Sequence, residues 1–282
     1  MSPRRRPRSI ARRRSSARRT ERVTGIAVPA PALQLRSVPQ LFDALISIAR
    51  RHAWDLFTLS LLFHFPVHFF RIAGAFAGRG SAIAGWNPER HIGSPWWMLW
   101  NTLAVAACTV AACQVYEEGG TNVRRAIARM RAGGWRFLGT VVVFEVLVDG
   151  VNFISPQDPG VVMLVFAYVA IALAYCAPVI PVALSEAAAP WTAVRRSLWL
   201  VRHNFRRVAI AVWIVWMVTS IADSSLVNLA GSLMHRDAVT AVFDLVVDAV
   251  LYPLRGIVLA VVYYDCRVRR EGYDLERLMD TG

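Results

Sequence analysis

The stretch Tyr263-Tyr264-Asp265-Cys266-Arg267-Val268-Arg269-Arg270-Glu271-Gly272-Tyr273-Asp274-Leu275-Glu276 decides the class of this chain. An apolar run with few charges begins near Val239, reaches Tyr264, and stops in arginines. A helix of about 20 apolar residues is long enough to cross a bilayer. Arginines just past its end mark the cytoplasmic side. The stretch therefore predicts both a membrane protein and its orientation.

Composition agrees. The chain is 56% hydrophobic with mean hydropathy +0.41, above the ~45–50% of an ordinary soluble domain. The net charge is +13, every basic residue other than histidine is arginine, and 13 of the arginines precede Ala53. Cys108, Cys113, Cys176 and Cys266 lie in or beside apolar runs. They lack zinc-ligand spacing and read as small core residues.

Residues 1–36 are rich in arginine, serine and proline, with Glu21 as the single acid. Such a segment cannot bury enough surface to fold alone and is expected to be a disordered cytoplasmic tail. It is no signal peptide, because no apolar core follows closely. It suits a solvated tail that helps set orientation, or a tether to anionic lipid. Nucleic acid would also attract it, but is not the expected partner.

Residues 37–282 read as one all-α membrane domain. Six spans are expected, at about 54–76, 95–116, 137–155, 160–184, 208–230 and 239–264. Segments 77–94, 156–159 and 231–238 hold only Arg79, Arg90 and Arg236, whereas 117–136 and 185–207 hold five arginines each. Basic connectors face the cytoplasm. Both termini then lie inside a plasma (inner) membrane, as an even number of spans requires.

The basic connectors carry helical periodicity. Val123, Ile127 and Met130 share a face, as do Trp191, Val194, Leu198, Val201 and Phe205. Residues 37–51 behave similarly through Phe42, Leu45, Ile46 and Ala49. These segments predict three amphipathic helices lying in the interface plane, with Pro190 in the first turn of the third. Arg124, Arg125, Arg131, Arg195, Arg196 and Arg202 are the candidate lipid-surface residues. The connectors also align with one another: Val123-Arg124-Arg125 on Val194-Arg195-Arg196, Arg131 on Arg202, Arg136 on Arg207, and more weakly Arg50 on Arg131 and Trp54 on Trp135. The unit is a basic helix, a span going out and a span returning, three times over.

Pro178-Val179-Ile180-Pro181 leading to Leu184-Ser185-Glu186, the run Ala193-Val194-Arg195-Arg196-Ser197-Leu198, and the motif from Tyr263 to Glu276 together resemble the glycerophosphoryl diester phosphodiesterase membrane domain family. The resemblance covers roughly residues 37–276. It implies this membrane architecture. It does not imply the phosphodiesterase reaction, because the soluble barrel that carries it needs ~250 residues of its own. The segments characteristic of that enzyme are absent from the sequence.

Ionisable groups inside spans are the candidate site, since each costs ~2.5–3.5 kcal/mol at mid-helix. His64 and His68 share a face of the first span. Glu145, Asp149 and Asn152 share one on the third. The fifth holds Asp223 and Asn228, and the sixth Asp244, Asp248 and Arg255. The predicted topology puts His68, Asp149, Asp223, Asp244 and Asp248 in the outer half of the membrane. Three readings follow: paired groups that glue helices, with Arg255 neutralising a carboxylate; an outward cavity for a solute or lipid headgroup; or a metal site of two histidines and two carboxylates. No dedicated metal-binding spacing occurs, so neither metal nor cofactor is expected. Prolines 66, 178, 181 and 253 fall inside predicted spans and can kink them. Trp96, Trp97 and Trp100 read as an aromatic belt. The expected role is non-enzymatic organisation of lipid or membrane partners, with anionic headgroups, another membrane protein or a second copy as partner. The alternative is a transporter or lipid-handling protein using the outer-half cluster.

Overall fold

The computed structural model describes residues 36–77, 94–151, 159–234 and 237–272. Among them every regular element is helical. In chain order these are α1 (Val38–Arg51), α2 (Ala53–Ala77), α3 (Ser94–Glu118), α4 (Val123–Val148), α5 (Pro159–Cys176), α6 (Val179–Ser185), α7 (Pro190–Val201), α8 (Phe205–Met234) and α9 (Asp237–Glu271). The expected tail before Arg36 and the end of the chain after Gly272 lie outside the described residues, as does Asn152.

Four helical stretches are long and apolar enough to cross a membrane: Trp97–Glu118, Gly160–Ser185, Phe205–Leu233 and Ala238–Glu271. Their surroundings differ. The most apolar windows of the first and last are 89% and 78% buried, against 22% for each of the other two. The core of the bundle is thus the pair α3 and α9. Small residues let these two helices approach: Ala104, Ala107, Ala111 and Ala112 are fully buried on α3. Around this pair, α9 also packs on α2, α8 and α1, while α4 leans on α3 and α6. α5 packs on α8 at the periphery.

Local sequence explains the breaks. The single helix expected over 160–184 divides at Pro178, which has no N–H to donate and whose ring would clash with the preceding turn. Pro181 costs little because it sits in the first turn of α6, where N–H groups have no partner within the helix. Pro66 and Pro253 stay inside continuous helices. Within α4 the chain turns sharply at Gly134, with φ 51° and ψ −136°, a conformation that glycine reaches without a Cβ clash. That turn divides the arginine-rich arm of α4 from its apolar arm. His52 makes the corresponding joint between α1 and α2, and Arg202–Asn204 that between α7 and α8. Phe205, expected on the basic helix, therefore opens α8 instead.

The faces of these short arms also differ from the expected stripes. On α1 the buried residues are Leu41, Leu45 and Ile48, while Ile46 is exposed. On α7 they are Ala193, Val194, Ser197, Leu200 and Val201, while Trp191 and Leu198 are exposed. These two arms have two apolar sides, one packed on protein and one left outside, which periodicity alone cannot separate, whereas the basic arm of α4 packs its expected Val123, Ile127 and Met130 against the core.

Candidate functional site

α2 and α9 run antiparallel and meet along a polar seam. Towards one end the Arg71 guanidinium pairs with Asp244. One turn along, His68 Nε2 lies 2.9 Å from Asp248 Oδ2, and its Nδ1 lies 3.7 Å from Asp244 Oδ2. A further turn on, the His64 ring meets the edge of Tyr252 at 4.4 Å between centroids, with Nδ1 2.8 Å from the Ser60 carbonyl. The Ser60 hydroxyl reaches the Asp248 carbonyl at 3.4 Å. Helical spacing makes this seam: residues three or four apart stack on one face. Positions 64, 68 and 71 of α2 thereby confront 252, 248 and 244 of α9.

α8 closes the seam. Asp223 joins Asp244 and Asp248, so that one oxygen from each lies within 4.8 Å of the others. Asp244 and Asp248 are buried and Asp223 is half-buried. Asp223 Oδ1 has no hydrogen-bond partner among the described residues, and neither do His64 Nε2 and His68 Nδ1. Both histidines are almost wholly buried, at 0% and 1% exposure. An unmade hydrogen bond at such depth costs about 1–3 kcal/mol.

Arg255 departs from expectation. Its Nε donates to Thr219 Oγ1 at 2.8 Å and an NH2 group to Ser220 Oγ at 3.0 Å. The guanidinium carbon lies 4.3 Å from the Tyr252 ring centroid and 5.2 Å from that of Trp216. Hydroxyls and aromatic faces thus take the place of the expected carboxylate. Arg255 is about two turns from Asp248, or ~10 Å along the helix, too far for a direct pair on the same element.

Of the other sequence-derived candidates, Glu145 stands apart and accepts from Thr102 on α3. Asp149 is the residue at the C-cap of α4. Sequence reasoning missed Ser60, Arg71, Tyr252, Thr219 and Ser220. For Arg71 the signal was present, three residues beyond His68 on the same face.

A second polar network ties the basic end of the bundle. Glu117 of α3 accepts from Arg129 at 2.5 and 3.1 Å, from Ser185 at 2.9 Å and from Tyr264 at 2.8 Å. Burial alone would lower the pKa of Arg129, but the hydrogen bonds and charge of Glu117 hold it above the usual arginine value. Tyr263 donates to Glu186, and Arg196 is shared between Glu186 and Glu271. Asp265 accepts the backbone N–H of Arg36 and the side chain of Arg269, and lies 3.3 Å from Arg207 Nε. Arg36 in turn donates to the Tyr116 hydroxyl at 2.6 Å. The Tyr263-Tyr264-Asp265 triplet is therefore the hinge pin of this face, each side chain serving a different carboxylate or arginine set.

The candidate lipid-surface arginines divide accordingly. Arg196 is engaged by two carboxylates and Arg125 pairs with Glu118. Arg124, Arg131, Arg195 and Arg202 are exposed. No family model, curated protein or solved structure matches this chain.

Proposed function

We propose that this is a six-span inner-membrane protein with both termini in the cytoplasm, which gathers anionic lipid on three basic interfacial helices. The observation that carries this reading is the pairing of exposed arginine with exposed tryptophan on those helices and at the joints that lead out of them. Trp54 and Trp135 are 78% and 72% exposed, and Trp191 is exposed as well. They sit next to exposed Arg50, Arg51, Arg131, Arg136 and Arg195 in sequence or one turn away. Indole rings favour the headgroup level, and arginines there favour anionic lipid. An apolar groove of ≈ 460 Å³ between Trp54, Phe57, Val250 and Leu254 reaches Arg50. Its shape and chemistry suit an acyl chain beside a phosphate.

The two additional spans are α2 and the apolar arm of α4. Their outward stripes support this: Leu62, Phe65 and Phe69 on one, Leu138, Val142 and Val146 on the other, all exposed. The same pattern continues on α8 through Ile210, Ile214, Val218 and Ile221. Three units of basic arm, outgoing span and returning span follow from that count. The likeness of the terminal motif to the glycerophosphoryl diester phosphodiesterase membrane domain family supports the architecture and carries no reaction with it.

Arg124, Arg131, Arg195 and Arg202 changed together to glutamine should lose bound anionic phospholipid. Each is worth about 1 kcal/mol near a charged leaflet, so the joint loss is well over tenfold. Native mass spectrometry of the purified variant and its parent measures it. Arg196→Gln is the contrast: it should lower thermal stability, through its ion pairs, more than lipid retention. Unchanged retention in the fourfold variant would sink the lipid reading. Topology has its own test. A cysteine at Gly231 should react with a membrane-impermeant maleimide in intact cells, and one at Gly120 should not. The four native cysteines are buried and should add little background.

A solute-handling protein is the second reading. The convergence of His68, Asp223, Asp244 and Asp248 from three helices favours it.

A further inference from the structure

We propose that Asp223, Asp244, Asp248 and His68 form a binding site for a divalent first-row transition-metal ion. The site is distinct from the lipid face, whose exposed arginines lie on α1, on the basic arm of α4 and on α7.

The first argument is charge. Three carboxylates crowd within 4.8 Å of one another, and among the described residues the arginine paired with them is Arg71. Like charges at that separation in a low-dielectric setting repel strongly. Arg71 offsets one of three. Arg255 lies further inward and spends its donors on Thr219 and Ser220. A divalent ion supplies the missing positive charge where it is needed.

The second argument is independent and comes from His68. Its ring stands between two carboxylates with both nitrogens directed at them. Nε2 is at hydrogen-bond distance from Asp248, whereas Nδ1 is buried without a partner. A neutral imidazole donating from Nε2 turns a bare Nδ1 lone pair towards Asp244. Two electron-rich atoms then face each other at 3.7 Å. A cation between them converts that repulsion into two bonds.

Geometry is close to what an ion needs. Ligands ~2.1 Å from an ion stand roughly 3.0–3.4 Å from their neighbours in the shell. Oxygens that lie within 4.8 Å of one another draw inward by up to about an ångström as the ion enters. One imidazole with three carboxylates suits Mn²⁺, Fe²⁺ or Zn²⁺ better than Mg²⁺ or Ca²⁺, which prefer all-oxygen shells. Arg71 is the built-in competitor. Its side chain is 34% exposed, so it can leave Asp244 for the outside as the metal enters.

The test uses the full chain in detergent after treatment with a chelator. Isothermal titration with Mn²⁺ and Zn²⁺ should give one saturable site per chain, with Mg²⁺ much weaker. Asp223→Asn, Asp248→Asn and His68→Ala should each weaken binding by roughly tenfold or more. Arg71→Gln should tighten it by about tenfold, because a competing like charge is gone. This gain cannot arise from misfolding. The absorption spectrum of bound Co²⁺ should change in His68→Ala. No saturable binding by the parent protein overturns the proposal, as does unchanged affinity in both aspartate variants. A proton held by His68 in place of a metal would give the first of those results.

Discussion

Gly256→Leu is expected to leave almost no folded protein. Gly256 lies where α9 crosses α3 at the centre of the bundle. A Cβ added there would stand 2.6 Å from Cys108 Cβ, 2.7 Å from the Val105 carbonyl oxygen and 2.8 Å from the Thr109 nitrogen. Two of these three obstacles are backbone, so no rotamer change relieves them. The helices must separate. Separation also breaks the 3.1 Å bond from Thr109 Oγ1 to the Gly256 carbonyl. Small residues at crossings are the main source of tight packing between helices in membranes. Overpacking by a single methyl typically costs about 1–3 kcal/mol, and leucine far exceeds that. Gly256→Ala should lower the melting temperature in detergent clearly. Gly256→Leu should appear as aggregate on size-exclusion chromatography. A leucine variant that elutes and melts like the parent would mean that α3 and α9 do not touch here.

Glu117→Leu should be the next most damaging change. Glu117 gathers groups from three other helices: Arg129 of α4, Ser185 of α6 and Tyr264 of α9. Its removal leaves Arg129 half-buried without its carboxylate and two hydroxyls without their acceptor. Breaking one side of a buried ion pair costs roughly 3–5 kcal/mol. Partial exposure of both partners reduces this to about 2–3 kcal/mol. Tyr264→Phe removes one hydrogen bond from the same carboxylate and should cost only about 1 kcal/mol. The two melting temperatures should rank in that order. If Tyr264→Phe proved the worse, the carboxylate would not be the organising group.

The class of the protein was legible because α9 states it directly, with an apolar run ended by arginines. Four stretches that can cross a membrane were legible for the same reason. Part of the polar cluster was legible too: His68, Asp149, Asp223, Asp244 and Asp248 were expected in one half of the bundle, and four of the five meet. Azimuth was not. Asp149 was placed in the same half, yet it sits at the C-cap of α4 and outside the group formed by Asp223, Asp244 and Asp248. Arg255 was expected to find a carboxylate, since an unpaired charge in a span is costly. Two hydroxyls and two aromatic rings do that work, and no spacing rule ties position 255 to positions 219 and 220. Two of the basic arms, α1 and α7, misled in another way. Their apolar residues form two faces, and hydropathy does not distinguish a face that meets protein from one left outside. His64 and His68, like Asp244 and Asp248, were each read as a pair four apart. That the two pairs confront each other depends on the antiparallel register of α2 against α9, which no local pattern encodes.

That register has a consequence for how the chain is made. His68 and Asp248 are 180 residues apart in sequence. Ribosomes extend a chain at ~5–20 residues per second, so roughly 9–36 s separate the synthesis of the two partners. During that interval α2 exists with His64, His68 and Arg71 but without their counterparts on α9. The core helix α3 waits as well, since α9 is its principal cover. Closure of the bundle therefore waits for α9, and a nascent chain stopped before it carries the α2 half of the polar seam without its α9 half, open to the quality-control proteases.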